Sequence, residues 1–304
     1  MSKEREIVVK TKIKKSKDDK IFDFFLYLIA GILILITLYP MYFIVIASIS
    51  NPTAVSNGEL FLLPKGINFK AYKELAGYAK LWTGYRNTIL YVIAGTIITL
   101  VVNIPASYAL SRKGLYGKRF FTFFYLIPMF FTGGLIPTYL AVKRFGLLDN
   151  FWVMVLPFSV VTYYIIVGHT FFNNSIPEDL WEAAQLDGCG YIGFFFRVVL
   201  PLSKAVIAVI ALWAAVGQWN SYFNALIYLR SENLQPLQIV LRNILISNQT
   251  ISAMTTGAAA VEAKQMADLI KYAVIVVSSA PIMCMYPFVQ KYFNQGVMLG
   301  SLKG

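Results

Sequence analysis

The side chains able to carry out chemistry are few, and that limits the reactions open to the chain. His169 is the single histidine in 304 residues. Histidine-based metal binding and triad catalysis are therefore not expected, and a satisfied structural role fits its place near the end of an apolar run. Cys189 falls in a polar loop and Cys284 in an apolar run, which predicts two unpaired thiols and no metal-ligand spacing. The phosphate-cradling pattern G-x-x-x-x-G-K-[S/T] does not occur, so no nucleotide is expected to be held by this polypeptide. Two groups of polar residues remain. One is the acidic stretch Asn174 to Gly190, which offers carboxylates to a basic partner. The other is Trp213, Gln218, Trp219, Asn220, Tyr222 and Asn224, whose aromatic planes and amides suit the apolar face and hydroxyls of a sugar ring.

Each group needs an element to position it. In the acidic stretch Ser175 is placed to cap a helix, with Glu178 three residues on as its capping-box partner and Pro177 in the first turn. Glu178 and Asp179 complement the positive end of the helix dipole, and Gly188 and Gly190 end the helix. The reading predicts about three turns, roughly 18 Å. Ala183, Ala184 and Gly188 give it a small-residue face, beside Glu182 and Asp187. From these residues alone it reads either as a docking surface or as a surface helix whose acids keep a loop soluble. In the second group Trp213, Asn220 and Asn224 share one face of a continuous helix and form a candidate substrate path, while Gln218 points elsewhere. Helix–helix contact with interfacial aromatics explains the same residues.

The surroundings of both groups are apolar. Hydrophobic residues make up 58% of the chain and charged residues 14%, against about 45–50% and about 25% in soluble domains. Mean hydropathy is +0.62. A soluble enzyme, a disordered chain and a disulfide-stapled module are excluded. Six runs without Asp, Glu, Lys or Arg reach the roughly 20 residues a membrane helix needs. They predict spans at 21–48, 87–111, 120–142, 150–177, 205–229 and 272–290. The first run extends uncharged to residue 58 but is trimmed at Ser50-Asn51-Pro52; its length and the lack of a cleavage site mark it as a retained helix, not a signal peptide. A seventh run, 243–261, is too rich in hydrogen-bonding side chains to face lipid. Pro40, Pro128, Pro137 and Pro157 are expected to interrupt apolar helices, and Asn103 with Pro105 to mark a kink with a local hydrogen bond. The aromatic runs at 120–125 and at Tyr163-Tyr164 read as packing surface.

The net charge is +12, and its placement sets the topology. The basic residues lie between uncharged runs, so anionic lipid is the expected partner and nucleic acid is not. The tail 1–20 and the compact loop 112–119 place the greater share of the 27 Lys and Arg on one side, which puts both termini in the cytoplasm. The organisation predicted is a basic tail (1–20), a first transmembrane helix (21–48), a core of five further spans (84–291) enclosing the cytoplasmic loop 174–201, and a C-terminal tail (292–304).

Glu182-Ala183-Ala184-x-x-x-Gly188, followed after nine residues by Val198-x-Leu200-Pro201, resembles the EAA loop of ABC importer permeases, EAA-x3-G-x9-I-x-L-P, with Val198 in place of Ile. The resemblance implies an all-α, six-helix type I permease fold in the cell membrane. It also implies that this loop is a coupling helix seated in a cleft of a separate ATPase, with Glu182, Ala183, Ala184, Asp187, Gly188, Leu200 and Pro201 in the coupling role. A second stretch, Pro287-x-x-Gln290-Lys291-Tyr292-Phe293-x-x-Gly296-x-x-x-Gly300-x-x-Lys303-Gly304, is similar to the terminal signature of carbohydrate-type permeases related to the maltose permease. Its nearest subgroup handles oligosaccharides and polysaccharide fragments, and the segment from Leu237 to Leu245 resembles that subgroup too. In relatives the C-terminal tail reaches the ATPase dimer interface, which implies a second contact here through Gln295, Gly296, Gly300, Lys303 and Gly304.

The reading that follows is a non-enzymatic transport subunit importing a sugar. Its implied partners are a second homologous permease, two ATPase subunits carrying ATP and Mg, and an extracytoplasmic solute-binding protein. The same coupling signature also serves importers of other solutes. A carrier driven by an ion gradient would need an ionisable group inside a span, and the six spans hold no Asp, Glu, Lys or Arg in their uncharged runs. A membrane-embedded enzyme would need paired carboxylates or clustered histidines in a span, and neither is seen there.

Overall fold

A computed structural model describes residues 16–301, and among these the regular structure is helical with no strand. Helix α1 (Lys17–Ser48) opens on a capping box in which Ser16 Oγ accepts from the Asp19 N–H and Asp19 accepts from the Ser16 N–H. It stays exposed until Ile46, Ala47 and Ser48, which are buried. Two short helices follow, α2 (Pro52–Ser56) and α3 (Lys70–Gly77), and then the long α4 (Ala79–Ser111). Next come α5 (Lys118–Phe130), α6 (Leu135–Arg144), α7 (Thr162–Ser175), α8 (Glu178–Leu186), α9 (Tyr191–Phe194) and α10 (Leu200–Leu202). The chain ends with α11 (Lys204–Trp219), α12 (Tyr222–Tyr228), α13 (Leu237–Met254) and α14 (Ala258–Ser301).

Helix α4 is the axis of the bundle because it contributes to all three apolar clusters. Leu81 packs with Leu237, Leu241, Leu269 and Ile270 near one end. Tyr91 packs with Val153, Met154 and Tyr228 further along. Ile104 and Tyr108 pack with Phe172, Phe194 and Ile210 at the other end. Between these anchors its buried stripe is small or polar: Gly84, Thr88, Gly95, Thr99, Asn103 and Ser107. Small residues let helices approach where apolar burial from water does not drive them together. A Cβ at Gly84 would lie 3.1 Å from Leu237 Cα on α13, and one at Gly168 on α7 would lie 2.6 Å from Ser107 Oγ. Helix α14 is tied in through its backbone, where the Ser278 carbonyl accepts from Trp219 Nε1 and the Val277 carbonyl from the Tyr85 hydroxyl.

Among the described residues three helices are long and apolar enough to cross a membrane: α1, α4 and the Ala259–Met285 portion of α14. Bent pairs raise the number to five if each is one span. The predicted continuous span at 120–142 is broken, since α5 and α6 meet at 118° across Thr132-Gly133-Gly134, where Gly134 adopts φ +79°. The span at 150–177 is broken as well. A 3₁₀ turn (Phe151–Met154) gives way to irregular backbone before α7 begins at Thr162. Asn103 stabilises that backbone, its amide donating to the Ser159 carbonyl at 2.6 Å and its oxygen accepting from the Val161 N–H at 3.0 Å. This is the protein-buried setting in which irregular chain survives at membrane depth. Asn103 was expected to bond locally, and it does so to the Thr99 carbonyl at 2.6 Å. Its longer-range pair of bonds was not foreseen.

The 205–229 run is interrupted too. Helix α11 ends at Trp219, so Asn220 and Ser221 separate it from α12. On its other side a π-helical turn (Phe195–Val199) leads into Pro201, and the stretch Tyr191–Leu202 meets α11 at 80°. Pro137 sits harmlessly in the first turns of α6, whereas Pro157 lies in the irregular chain that interrupts the 150–177 run, as expected. Helix α13 covers most of the run rejected as a span. It buries Leu237, Val240, Leu241 and Ile244 while Asn243, Ser247 and Gln249 face outward. Helix α14 starts before the expected 272 and runs through the predicted boundary at 291–292 to Ser301.

Candidate functional site

The acidic stretch folds as α8, a nine-residue helix about 13 Å long and shorter than predicted. Its start differs from the expected capping box. Ser175 is the last residue of α7, and Pro177 precedes α8 without a side-chain cap. Glu178 instead points to Arg112, with Oε2 3.6 Å from Nη1. Arg112 is 9% exposed. Its guanidinium lies 5.0 Å from the centroid of the Tyr108 ring, an arrangement in which the ring face attracts the cation.

The two faces of α8 follow from helical spacing. Trp181 is buried, stacked on Tyr191 at 4.4 Å and edge-on to Phe194 at 5.2 Å. Ala184, one turn further, packs against the same apolar cluster. Asp179, Glu182, Ala183 and Leu186 occupy the opposite face and are exposed. The helix closes on Gly188, with φ +74°, where a β-carbon would be strained. The Gly188 N–H donates to the Gln185 carbonyl at 3.0 Å and the Cys189 N–H to the Ala184 carbonyl at 2.8 Å, the paired bonds of a Schellman motif. Exposed apolar residues surround this end: Leu186 is 91% exposed, and Tyr191 and Ile192 are exposed beside it.

Of the residues predicted to couple, Glu182, Ala183, Asp187, Gly188 and Pro201 lie on the outside, whereas Ala184 and Leu200 pack into the cluster beneath. Sequence reasoning passed over Leu186, although a leucine beside an acid in the last turn was a visible signal. It also passed over Arg112, counted only as loop charge. Gln295, Gly296 and Gly300 lie within the backbone of α14, and Lys303 and Gly304 lie outside the described residues.

The predicted substrate path does not assemble on one helix. Trp213 stacks on Tyr164 at 5.9 Å and against Tyr163 at 5.3 Å, which joins α11 to α7. Asn220 ends α11 and donates its amide to the Val216 carbonyl at 3.0 Å. Asn224 belongs to α12, beyond the break. Gln218, set aside in the sequence, lies deeper in the structure. Its Nε2 donates to the Met154 carbonyl at 3.1 Å, and its Oε1 is buried without a hydrogen-bond partner. Among the described residues no group of three or more His, Cys, Asp or Glu is placed to hold a metal ion.

The described residues thus form an apolar helical bundle with a short polar helix seated at one end. The chain belongs to the family of binding-protein-dependent transport system inner membrane components, whose pattern it matches over residues 82–299. It is 36% identical over 290 residues to Protein LplC of Bacillus subtilis (strain 168), covering 95% of this chain and 97% of that one. It is 35% identical to the polygalacturonan/rhamnogalacturonan transport system permease protein YtcP of the same organism, covering 94% and 99%. Its fold is similar to a chain in the crystal structure of a bacterial ABC transporter involved in the import of the acidic polysaccharide alginate, with TM-score 0.82, 35% identity, and coverage of 92% and 99%. The protein is therefore an ABC-importer permease subunit and not itself an enzyme.

Proposed function

We propose that this permease imports a saccharide, in the form of an oligosaccharide or a polysaccharide fragment, at the expense of ATP bound with Mg on a separate ATPase pair. The observation that carries the reading is the outward face of α8, where Glu182, Ala183 and Leu186 stand exposed on a helix fixed from beneath by Trp181. A rigid, exposed, mixed acidic and apolar surface suits a protein partner. The saccharide assignment is supported by YtcP, named for polygalacturonan and rhamnogalacturonan, and by the alginate importer.

In this reading the bundle makes six crossings with both termini in the cytoplasm. These are α1, α4, the α5–α6 pair, the irregular segment with α7, the stretch from Tyr191 through α11, and α14. A second, homologous permease completes the path, and an extracytoplasmic binding protein delivers solute. Glu182, Ala183, Asp187 and Gly188 meet the ATPase cleft, and Ala184, Leu200 and Pro201 shape the loop that presents them. Gln295, Gly296, Gly300, Lys303 and Gly304 supply a second contact. Trp213, Asn220 and Asn224 remain the candidate substrate path, contributed by two helices, α11 with its end and α12, in place of a single helical face.

The test is uptake of a labelled galacturonan fragment into proteoliposomes holding the whole complex. Uptake is expected only with binding protein outside and ATP inside, and a cysteine at Ala183 is expected to cross-link to the ATPase. Uptake driven by an ion gradient without ATP hydrolysis would overturn the proposal.

A further inference from the structure

The two ends of α4 are held by unlike contacts. At one end, Asn87 Nδ2 donates to the carbonyls of Asn233 (2.7 Å) and Gln235 (3.0 Å), and the Tyr91 hydroxyl to the Leu234 carbonyl at 2.8 Å. Thr88 Oγ1 accepts from the Leu237 N–H at 2.8 Å. One turn and a half of helix thus grips residues 233–237 through four directional bonds. At the other end Arg112 faces Glu178 of α8 across 3.6 Å, beyond hydrogen-bond reach, and buried Arg112 Nη1 and Tyr108 Oη find no hydrogen-bond partner among the described residues. A charge-assisted N–H···O contact settles at about 2.7–2.9 Å. Arg112 and Glu178 are thus close enough to attract and not closed, with two unused polar atoms beside them. Residues 87 and 112 stand about 38 Å apart along the helix.

We infer that α4 is the rod linking the docking helix to the opposite face of the bundle, with Arg112 and Glu178 as positioning residues at its cytoplasmic end and Asn87, Thr88 and Tyr91 as its grip on residues 233–237. The inference rests on the proposed docking of α8 to an ATPase. Movement of α8 toward the bundle shortens the Arg112–Glu178 gap and satisfies Nη1, and movement away opens it. Either displacement loads α4 along its axis. The small-residue stripe of α4 interlocks closely with α7, α11 and α13, so a displacement at one end moves the rod together with its packing and is not absorbed by side-chain rearrangement. The far grip then carries the state of the ATPase to the 233–237 loop.

The experiment measures ATPase activity of the reconstituted whole complex with and without binding protein, together with uptake per ATP. Arg112→Gln, Glu178→Gln and Asn87→Ala are each expected to leave unstimulated hydrolysis within about twofold. Each is expected to lower stimulation by at least about fivefold, the small end of coupling between distant sites. The double variant Arg112→Gln/Asn87→Ala is expected to be no worse than the more affected single variant, because both cut one rod. The exchange Arg112→Glu/Glu178→Arg is expected to recover at least about half of the stimulation. Wild-type stimulation in the single variants would overturn the inference. So would additive losses in the double variant, or failure of the complex to assemble that neither the exchange nor Arg112→Lys repairs. The underlying docking is judged separately, by whether wild-type complex forms and Glu182→Lys disrupts it.

Discussion

Gln218 on α11 lies against Gly95 on α4 so closely that a Cβ at Gly95 would sit 2.5 Å from Gln218 Nε2. The absence of a side chain at one position thus makes room for a polar one at the other. Gln218 uses the space to reach the Met154 carbonyl, which fixes the segment before the irregular chain. Replacing Gly95 with Leu is expected to destabilise the bundle by about 1–3 kcal/mol through overpacking. The check is a lowered apparent Tm in detergent, partly restored by adding Gln218→Ala.

Asn103→Leu removes a buried amide that serves both the Ser159 carbonyl and the Val161 N–H. Each buried backbone group left unpaired costs about 1–3 kcal/mol, so a loss of roughly 2–5 kcal/mol is expected, with faster proteolysis near residues 155–161. A wild-type Tm and cleavage rate would contradict this role.

Asp149 joins two loops. It adopts φ 53°, and its carboxylate accepts from the Ser231 hydroxyl and from the Ser231 and Arg230 N–H groups. The Ser231 hydroxyl first, then these N–H groups, hold its carboxyl below the ordinary value of 3.8. A depressed carboxylate stabilises the fold fully above its unfolded pKa and loses that contribution as pH falls through the folded value. Asp149→Asn tolerates the same backbone and is expected to cost about 1 kcal/mol at neutral pH. The Tm difference from wild type should shrink below about pH 4; a gap that persists undiminished at lower pH would show that charge is not what matters.

Glu182 is exposed on α8, and among the described residues it has no hydrogen bond or ion pair that its replacement would break. Glu182→Lys is therefore expected to keep expression and Tm within about 0.5 kcal/mol of wild type, while uncoupling ATP hydrolysis from uptake. Normal uptake would count heavily against docking through this face.

Gly188→Ala tests the end of the same helix. Nothing lies within 4 Å of the added carbon, but φ is +74°, so the cost of about 1–2 kcal/mol is conformational. Local hydrogen exchange at Gly188 and Cys189 should accelerate without a matching change in α4.

Charge-free run length and the spacing of Glu182, Ala183, Ala184 and Gly188 made α1, α4 and the exposed face of α8 legible in the sequence. What escaped was the place and sharpness of most interruptions. Gly133-Gly134 was a visible break signal inside an apolar run, and apolar length alone overrode it. Pro157 was a local signal for the irregular chain before Thr162, but what stabilises it, Asn103, is distant in sequence and was not legible. Ser175 and Glu178 matched a capping box, but the pattern carried no information about Arg112, which claims Glu178. The single helical face drawn from Trp213 to Asn224 has the same weakness: it assumes a continuous helix, and α11 stops at Trp219.

Helix α14 is a single 44-residue element, about 66 Å from end to end, whereas a bilayer with its headgroups is only about 40–45 Å thick. An untilted α14 must therefore stand some 20 Å proud of the lipid. It is held partway along by Trp219 and Tyr85. The anchored carbonyls of Val277 and Ser278 lie near the middle of that length, so a helix longer than the bilayer is thick is fastened to the bundle at its centre and not at an end.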